Sequence, residues 1–184
     1  DEGGASESEG VYTKDVIDVF TAAPVINVPI YEAFLEDLAQ KKAAGAIEDY
    51  AAVPYDWRLS IPDILKNGKE ESPGEVYYSR ATSTPYIEQE LRRLAADSRT
   101  GKVTIIGHSN GGLVAKALIS RLGNEAAELV DRLILVGGPQ IGTPKAVGAL
   151  LHGFDTGIPF VLSDERARDF AKTAPLIYQL LPDS

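Results

Sequence analysis

The chain has no cysteine, only two histidines and a single tryptophan. Without thiols it can build neither a disulfide framework nor a thiolate metal site, and His108 and His152 are too few for a zinc constellation. No window approaches ~18 consecutive apolar residues, so no transmembrane segment is read. A charged-then-apolar leader is also missing. Basic residues are in deficit: 18 Lys and Arg against 27 Asp and Glu leave a formal charge of −9. Phosphate recognition needs clustered Lys and Arg, and those present are scattered, so a nucleic-acid partner is excluded. The first residue is Asp1 and not Met, from which a processed or excised piece is expected.

What is present suits a folded domain. A length of 184 residues with 44% hydrophobic content allows one domain with a sizeable core, and eight Tyr and five Phe argue against a disordered chain. Residues 1–10 are small, acidic and aperiodic and read as a flexible linker. Residues 11–30 hold short apolar runs broken by Pro24 and Pro29, which predicts strand or extended loop. Phe34, Leu35, Leu38 and Ala39 recur at helical spacing from Tyr31 to about Ala44, with Gly45 as terminator. A short strand is expected over Asp49–Val53, ahead of the extended X-Pro step at Pro54, and residues 66–75 read as a polar loop.

The pattern sharpens further on. Thr84 is expected to cap a helix with Pro85 at its first position, Ile87, Leu91, Leu94 and Ala95 as its apolar stripe, and Gly101 as its stop. Val103–Ile106 reads as a short buried strand. A helix from Gly111 to Leu122 follows, and then an apolar strand, Leu133–Val136, ended by Gly137-Gly138-Pro139. Helix, strand, helix, strand with short connections predicts an α/β fold of parallel strands joined by crossover helices. In such sheets chemistry collects beyond the carboxyl ends of the strands. The expected division is a core over residues 11–150 and a lid or cap segment over 151–184.

Gly107-His108-Ser109-Asn110-Gly111 lies at one of those carboxyl ends, between predicted strand and predicted helix, as a G-x-S-x-G nucleophile elbow requires. The sharp turn strains the backbone and lifts the Ser109 hydroxyl above the sheet. Gly107 and Gly111 are expected to keep side chains from colliding with strand and helix, and Gly112 to let the helix pack closely. The Asn110 backbone N–H, at the helix start, is placed to stabilise an oxyanion. A glycine-rich packing turn without chemistry is the alternative. The side chain of His108 should point away from the serine hydroxyl, into packing or outer hydrogen bonding.

Three segments resemble the lecithin:cholesterol acyltransferase-like lipases, a branch of the α/β-hydrolases: Val53-Pro54-Tyr55-Asp56-Trp57-Arg58, Ile105 through Gly112, and Gly137-Gly138-Pro139-Gln140-Ile141-Gly142-Thr143-Pro144. Ile177–Pro182 is a weaker echo. The resemblance implies a partial α/β-hydrolase fold with a mostly parallel sheet, an acyl-enzyme mechanism on ester or lipid substrates, and neither metal nor organic cofactor. It also implies an oxyanion loop after an earlier strand, a family feature with no counterpart before residue 30 unless Lys14–Phe20 substitutes for that strand. It makes Asp56, Trp57 and Arg58 structural residues near the site, which suits an Asp and an Arg forming a charge-assisted hydrogen-bond cluster that fixes a loop.

A serine nucleophile needs a base and an orienting acid, in chain order Ser, Asp or Glu, His. After Ser109 the only histidine is His152, in the expected lid region, and a loop histidine without a chemical role is its competing reading. Between them stand Asp131, at the wrong end of its strand, and Glu125 and Glu128 in the crossover. The triad acid and base are therefore expected outside this segment. Phe154, Ile158, Phe160, Val161 and Leu162 could line an acyl pocket or a loop core. An O-acyltransferase, an amidase, and a non-catalytic binding domain on the same scaffold stay open. Transient contact with a lipid surface, and a secreted or cell-envelope site, accord with family habit.

Overall fold

The computed structural model describes residues 13, 19–21, 27–72, 75–153 and 163–182. The expected linker over residues 1–10, most of Lys14–Phe20 and the candidate acyl-pocket residues 154–162 lie outside these.

The described chain is an α/β arrangement built around one parallel crossover. Strands β1 (Val19–Thr21) and β2 (Asn27–Pro29) pair antiparallel and lead into α1 (Glu32–Ala43). A coil then reaches α2 (Ile61–Lys66), an antiparallel hairpin of β3 (Asn67–Ser72) and β4 (Glu75–Ala81), and α3 (Tyr86–Asp97). Next come β5 (Val103–His108), α4 (Gly111–Leu122), a 3-10 turn, α5 (Ala126–Leu129) and β6 (Val130–Val136). Helices α6 (Pro144–His152), α7 (Asp164–Thr173) and α8 (Pro175–Gln179) follow. β5 and β6 are parallel, with Ile105 opposite Leu133 and His108 opposite Val136. Among the described strands only these two pair in parallel, so the expected mostly parallel sheet is present only as this crossover.

Local chemistry explains the helix starts. Ser60, Thr143 and Ser163 each accept a hydrogen bond from a first-turn N–H (Asp63, Lys145 and Arg166), and prolines follow Ser60 and Thr143 in the first turn. Thr84 is not a cap. The cap falls one residue later, at Pro85, whose extended backbone (ψ 145°) turns its carbonyl to accept from Gln89 N–H at 2.9 Å, and α3 begins at Tyr86.

Two further expectations are corrected. Asp49–Val53 is coil, without a partner strand; the Asp49 carboxylate is taken by Lys42 at 2.6 Å and Arg93 at 2.9 Å. Residues 67–72 are a strand and not a loop. An antiparallel hairpin needs cover on one face only, and β4 supplies it with Val76 and Tyr78, which leaves β3 free to be polar.

The core joins α2, β4, α3 and α4 through Ile64, Leu65, Val76, Tyr78, Tyr86, Ile87, Leu91, Val114 and Leu118, with Ile64 and Val76 fully buried. The parallel strands are less buried than their sequences read. Gly107 is buried, but Ile106 is 45% exposed, and Ile134 and Val136 beside it are exposed as well.

Arg93 carries an ion-pair network on α3, reaching Glu90, Asp97 and Asp49, and Lys42 of α1 closes it. The Lys42 ammonium, and then the Arg93 guanidinium, hold the Asp49 carboxyl down from the usual 3.8 to about 2. A depressed folded value stabilises the fold above the unfolded value and loses that contribution as pH falls from about 4 to about 2. With screening at this surface position, Asp49→Asn is expected to cost about 1 kcal/mol at pH 7. The gap to wild type in urea denaturation should close on acidification. A pH-independent gap would mean the carboxylate charge is not the cause.

Candidate active site

β5 ends at His108 and α4 begins at Gly111, leaving two residues to reverse the chain. Ser109 does so with φ 52°, the only positive φ among the described non-glycine residues. The left-handed region costs an L-residue about 1–2 kcal/mol, and such strain persists where the surroundings over-determine it. Here the Ser109 N–H donates to the Val136 carbonyl of β6 at 2.9 Å, and the Ser109 carbonyl accepts from Gly112 N–H at 3.0 Å. The turn is thus pinned to strand and helix at once.

The strain follows from how near α4 starts to β5. A Cβ on Gly107 would stand 2.8 Å from Gly111 O and 2.8 Å from Gly112 Cα, backbone atoms that cannot step aside. A Cβ on Gly111 would meet only the Tyr55 hydroxyl, at 3.7 Å, and one on Gly112 would make ordinary contact with Leu135. Steric exclusion therefore applies at Gly107, as expected, and not at Gly111, where the expectation is corrected.

Both neighbours of Ser109 are held from outside the elbow. His108 Nδ1 lies 2.6 Å from the Tyr31 hydroxyl, with the two rings edge to face at 5.6 Å. Asn110 Nδ2 donates to the Tyr55 hydroxyl at 3.1 Å, and Asn110 Oδ1 is buried without a partner among the described residues. Burial raises the Tyr55 phenol above its usual value, so it stays protonated at neutral pH. The residue before it is fixed as well, since Tyr78 of β4 donates its hydroxyl to the Pro54 carbonyl at 3.0 Å. The loop after β6 lies against the elbow too: a Cβ on Gly138 would come within 3.2 Å of Ser109 O, and Gln140 is anchored by Lys116 at 2.7 Å.

Asp56 and Arg58 form a two-pronged pair, Nε to Oδ1 at 2.8 Å and Nη2 to Oδ2 at 2.6 Å, and Asp56 Oδ1 also accepts from the Arg58 N–H. The turn this closes presents Trp57 edge to face on Phe170 of α7, at 5.7 Å. The C-terminal helices are tied back elsewhere also. Gln179 accepts from Ile61 N–H at 2.9 Å, and Thr143 N–H donates to Leu180 O at 2.8 Å. Gly142 touches the Leu181 carbonyl so closely that a side chain there would overlap it.

The acid and base candidates are not gathered. No hydrogen bond joins Ser109 to His108 or His152 among the described residues; His152 ends α6 on the surface. Asp131 stands near the start of β6, paired with Arg132, while Ser109 follows the other end of the sheet. Glu125 is bound to Arg92 at 2.6 Å, and Glu128 is exposed. No group of three or more metal-ligating residues occurs among the described residues, and no helix there is long and apolar enough to cross a membrane. Tyr31 and Tyr55 were not singled out by the sequence, although Tyr55 stands inside the segment that carries the resemblance.

These features define an α/β protein whose parallel crossover presents a serine on a strained strand-to-helix turn. The chain belongs to the lecithin:cholesterol acyltransferase family, whose model matches residues 12–184. No curated protein and no solved structure matches the chain significantly. Membership supports lipid acyltransferase or esterase-type activity.

Substitutions at the turn should separate strain from packing. Ser109→Gly removes the penalty of the left-handed backbone and should raise stability by about 0.5–1 kcal/mol, whereas Ser109→Ala should not. Gly107→Ala should cost about 3 kcal/mol through the overlap with α4, and Gly111→Ala should change stability by less than about 1 kcal/mol. Thermal denaturation of the four variants measures this, and equal effects at Gly107 and Gly111 would contradict the geometry.

Proposed function

We propose that this chain carries the nucleophile of an α/β-hydrolase-type site that transfers the acyl group of lipid-like carboxylic esters through Ser109. The observation that carries the reading is the positive φ of Ser109 in the turn from β5 to α4. A strained serine exposed beyond the carboxyl end of a parallel strand has chemical use and little structural use. Family membership supplies the substrate class.

In this reading Ser109 Oγ attacks the ester carbonyl while a base takes its proton. The tetrahedral oxyanion is met by the Asn110 N–H at the head of α4, where the helix dipole favours negative charge. Collapse expels the alcohol, which takes up the proton, and leaves an acyl-serine. Water resolves it in a hydrolase and a second alcohol in an acyltransferase. The base and its orienting acid come from outside these 184 residues. Asp56, Trp57 and Arg58 shape the rim and take no part in proton transfer, and residues 151–184 act as the lid or cap.

A non-catalytic binding domain is the second reading, favoured by the absence of any hydrogen bond between Ser109 and a histidine among the described residues. The two separate on incubation with a fluorescent alkyl fluorophosphonate, with and without added imidazole as a surrogate base, followed by mass spectrometry. The expected result is label on Ser109 that depends on imidazole and disappears in Ser109→Ala. Labelling without imidazole that is lost in His152→Ala would make His152 the base. No label at any imidazole concentration would sink the nucleophile reading.

A further inference from the structure

The side chains on either side of Ser109 in sequence are each held by a phenol from an earlier segment, and the two contacts differ in kind. The Tyr31–His108 contact is open to solvent, where water replaces a lost hydrogen bond cheaply. The Tyr55–Asn110 contact, made by Asn110 Nδ2, is partly buried, and Asn110 Oδ1 has no partner among the described residues. Removing the Tyr55 hydroxyl would leave the whole amide without a hydrogen bond in a place that water reaches poorly, so the side chain would have to turn away and take the backbone with it. Asn110 makes no side-chain capping bond to α4 either, so nothing else fixes its amide.

We infer that Tyr55 is a positioning residue: by holding the Asn110 side chain it fixes the peptide between Ser109 and Asn110 and so aims the Asn110 N–H at the oxyanion. The inference rests on the serine-nucleophile reading above. Three observations support it. Tyr55 is rigidly presented, because its neighbour Pro54 is bonded to the buried Tyr78. Its hydroxyl lies over the first turn of α4, 3.7 Å from where a Gly111 Cβ would stand. The bonded amide belongs to the residue whose backbone N–H is the proposed donor. Oxyanion stabilisation depends on donors being in place before the charge develops, so a hydroxyl that touches no reacting atom can still set the rate.

The test uses the full chain with imidazole and the alkyl fluorophosphonate, comparing wild type, Tyr55→Phe, Asn110→Ala and the double variant. Phenylalanine keeps the ring, so the change isolates the hydroxyl. Tyr55→Phe is expected to lower the limiting labelling rate about tenfold with the half-saturating probe concentration within about twofold, because ground-state binding does not use the donor. Amide exchange across residues 107–112 should quicken while the rest of the chain is unchanged. The double variant should react no more slowly than Asn110→Ala alone, since the hydroxyl acts through that side chain. Labelling of Tyr55→Phe at the wild-type rate, independent effects that multiply in the double variant, or quickened exchange across the whole chain would each overturn this inference and leave Ser109 as nucleophile. Wild type that takes no label removes the nucleophile reading and this one with it.

Discussion

The separation between the end of β5 and the start of α4 governs this molecule. Gly107 and the first turn of α4 lie so close that a single carbon on Gly107 would overlap backbone. A helix that starts this near its strand must reverse the chain within two residues, and right-handed backbone cannot do so at both. Ser109 takes the left-handed conformation as a result. The strain is tolerated because the same closeness lets Val136 and Gly112 bond the serine backbone. Packing density, strain and the presentation of the hydroxyl are one arrangement seen from three sides. Relaxing any of them would retract the serine.

The sequence made the crossover legible and left its surroundings less so. α4 runs over Gly111–Leu122, as its apolar spacing predicts, and β5 and β6 contain the two apolar runs. These elements carry strong periodicity, and their partners are near in sequence. Strand β3 reads as loop because it is polar, and only its partner β4 explains why that is permitted. Helix α2 shows no helical period, because six residues are too few for one to emerge, although Ser60-Ile61-Pro62-Asp63 holds its cap and first-turn proline. The tyrosine contacts at the elbow span 77 and 55 residues of chain, and no local rule reaches that far. Asp56 and Arg58, two residues apart, were legible as a pair for the opposite reason.

Exposure of the parallel strands has a physical meaning of its own. Parallel sheets are covered on both faces in α/β proteins, and an apolar run such as Leu133–Val136 encodes that expectation. α4 lies against both β5 and β6, while Ile106 and its neighbours Ile134 and Val136 face solvent. These side chains are already more than half covered, and burying the remainder of each would contribute about 1 kcal/mol. The sequence of this sheet is therefore written for a more enclosed setting than the described residues provide. The elbow does not depend on that cover, because every contact that pins Ser109 comes from β6, α4 and the loop between β6 and α6.

That independence bears on how the site is divided between parts of the chain. The Ser109 turn is fixed by residues 107–112 and by the carbonyl of Val136, so it is complete within one crossover. The groups that orient its neighbours, Tyr31 and Tyr55, come from segments that precede the crossover, and the loop of Tyr55 continues into the Asp56–Arg58 turn whose Trp57 meets α7. Tyr55 therefore stands at a junction, with the elbow on one side and the C-terminal helices on the other through the next two residues. Movement of α7 would be felt first at Trp57 and then, across the Asp56–Arg58 clamp, at the backbone of Tyr55. The clamp stiffens that path, since a two-pronged charge-assisted pair fixes direction as well as distance. A rigid turn and a more adjustable surround can be combined only if the two meet at a few stiff contacts. Here they meet at the Tyr55 hydroxyl and the Trp57 ring.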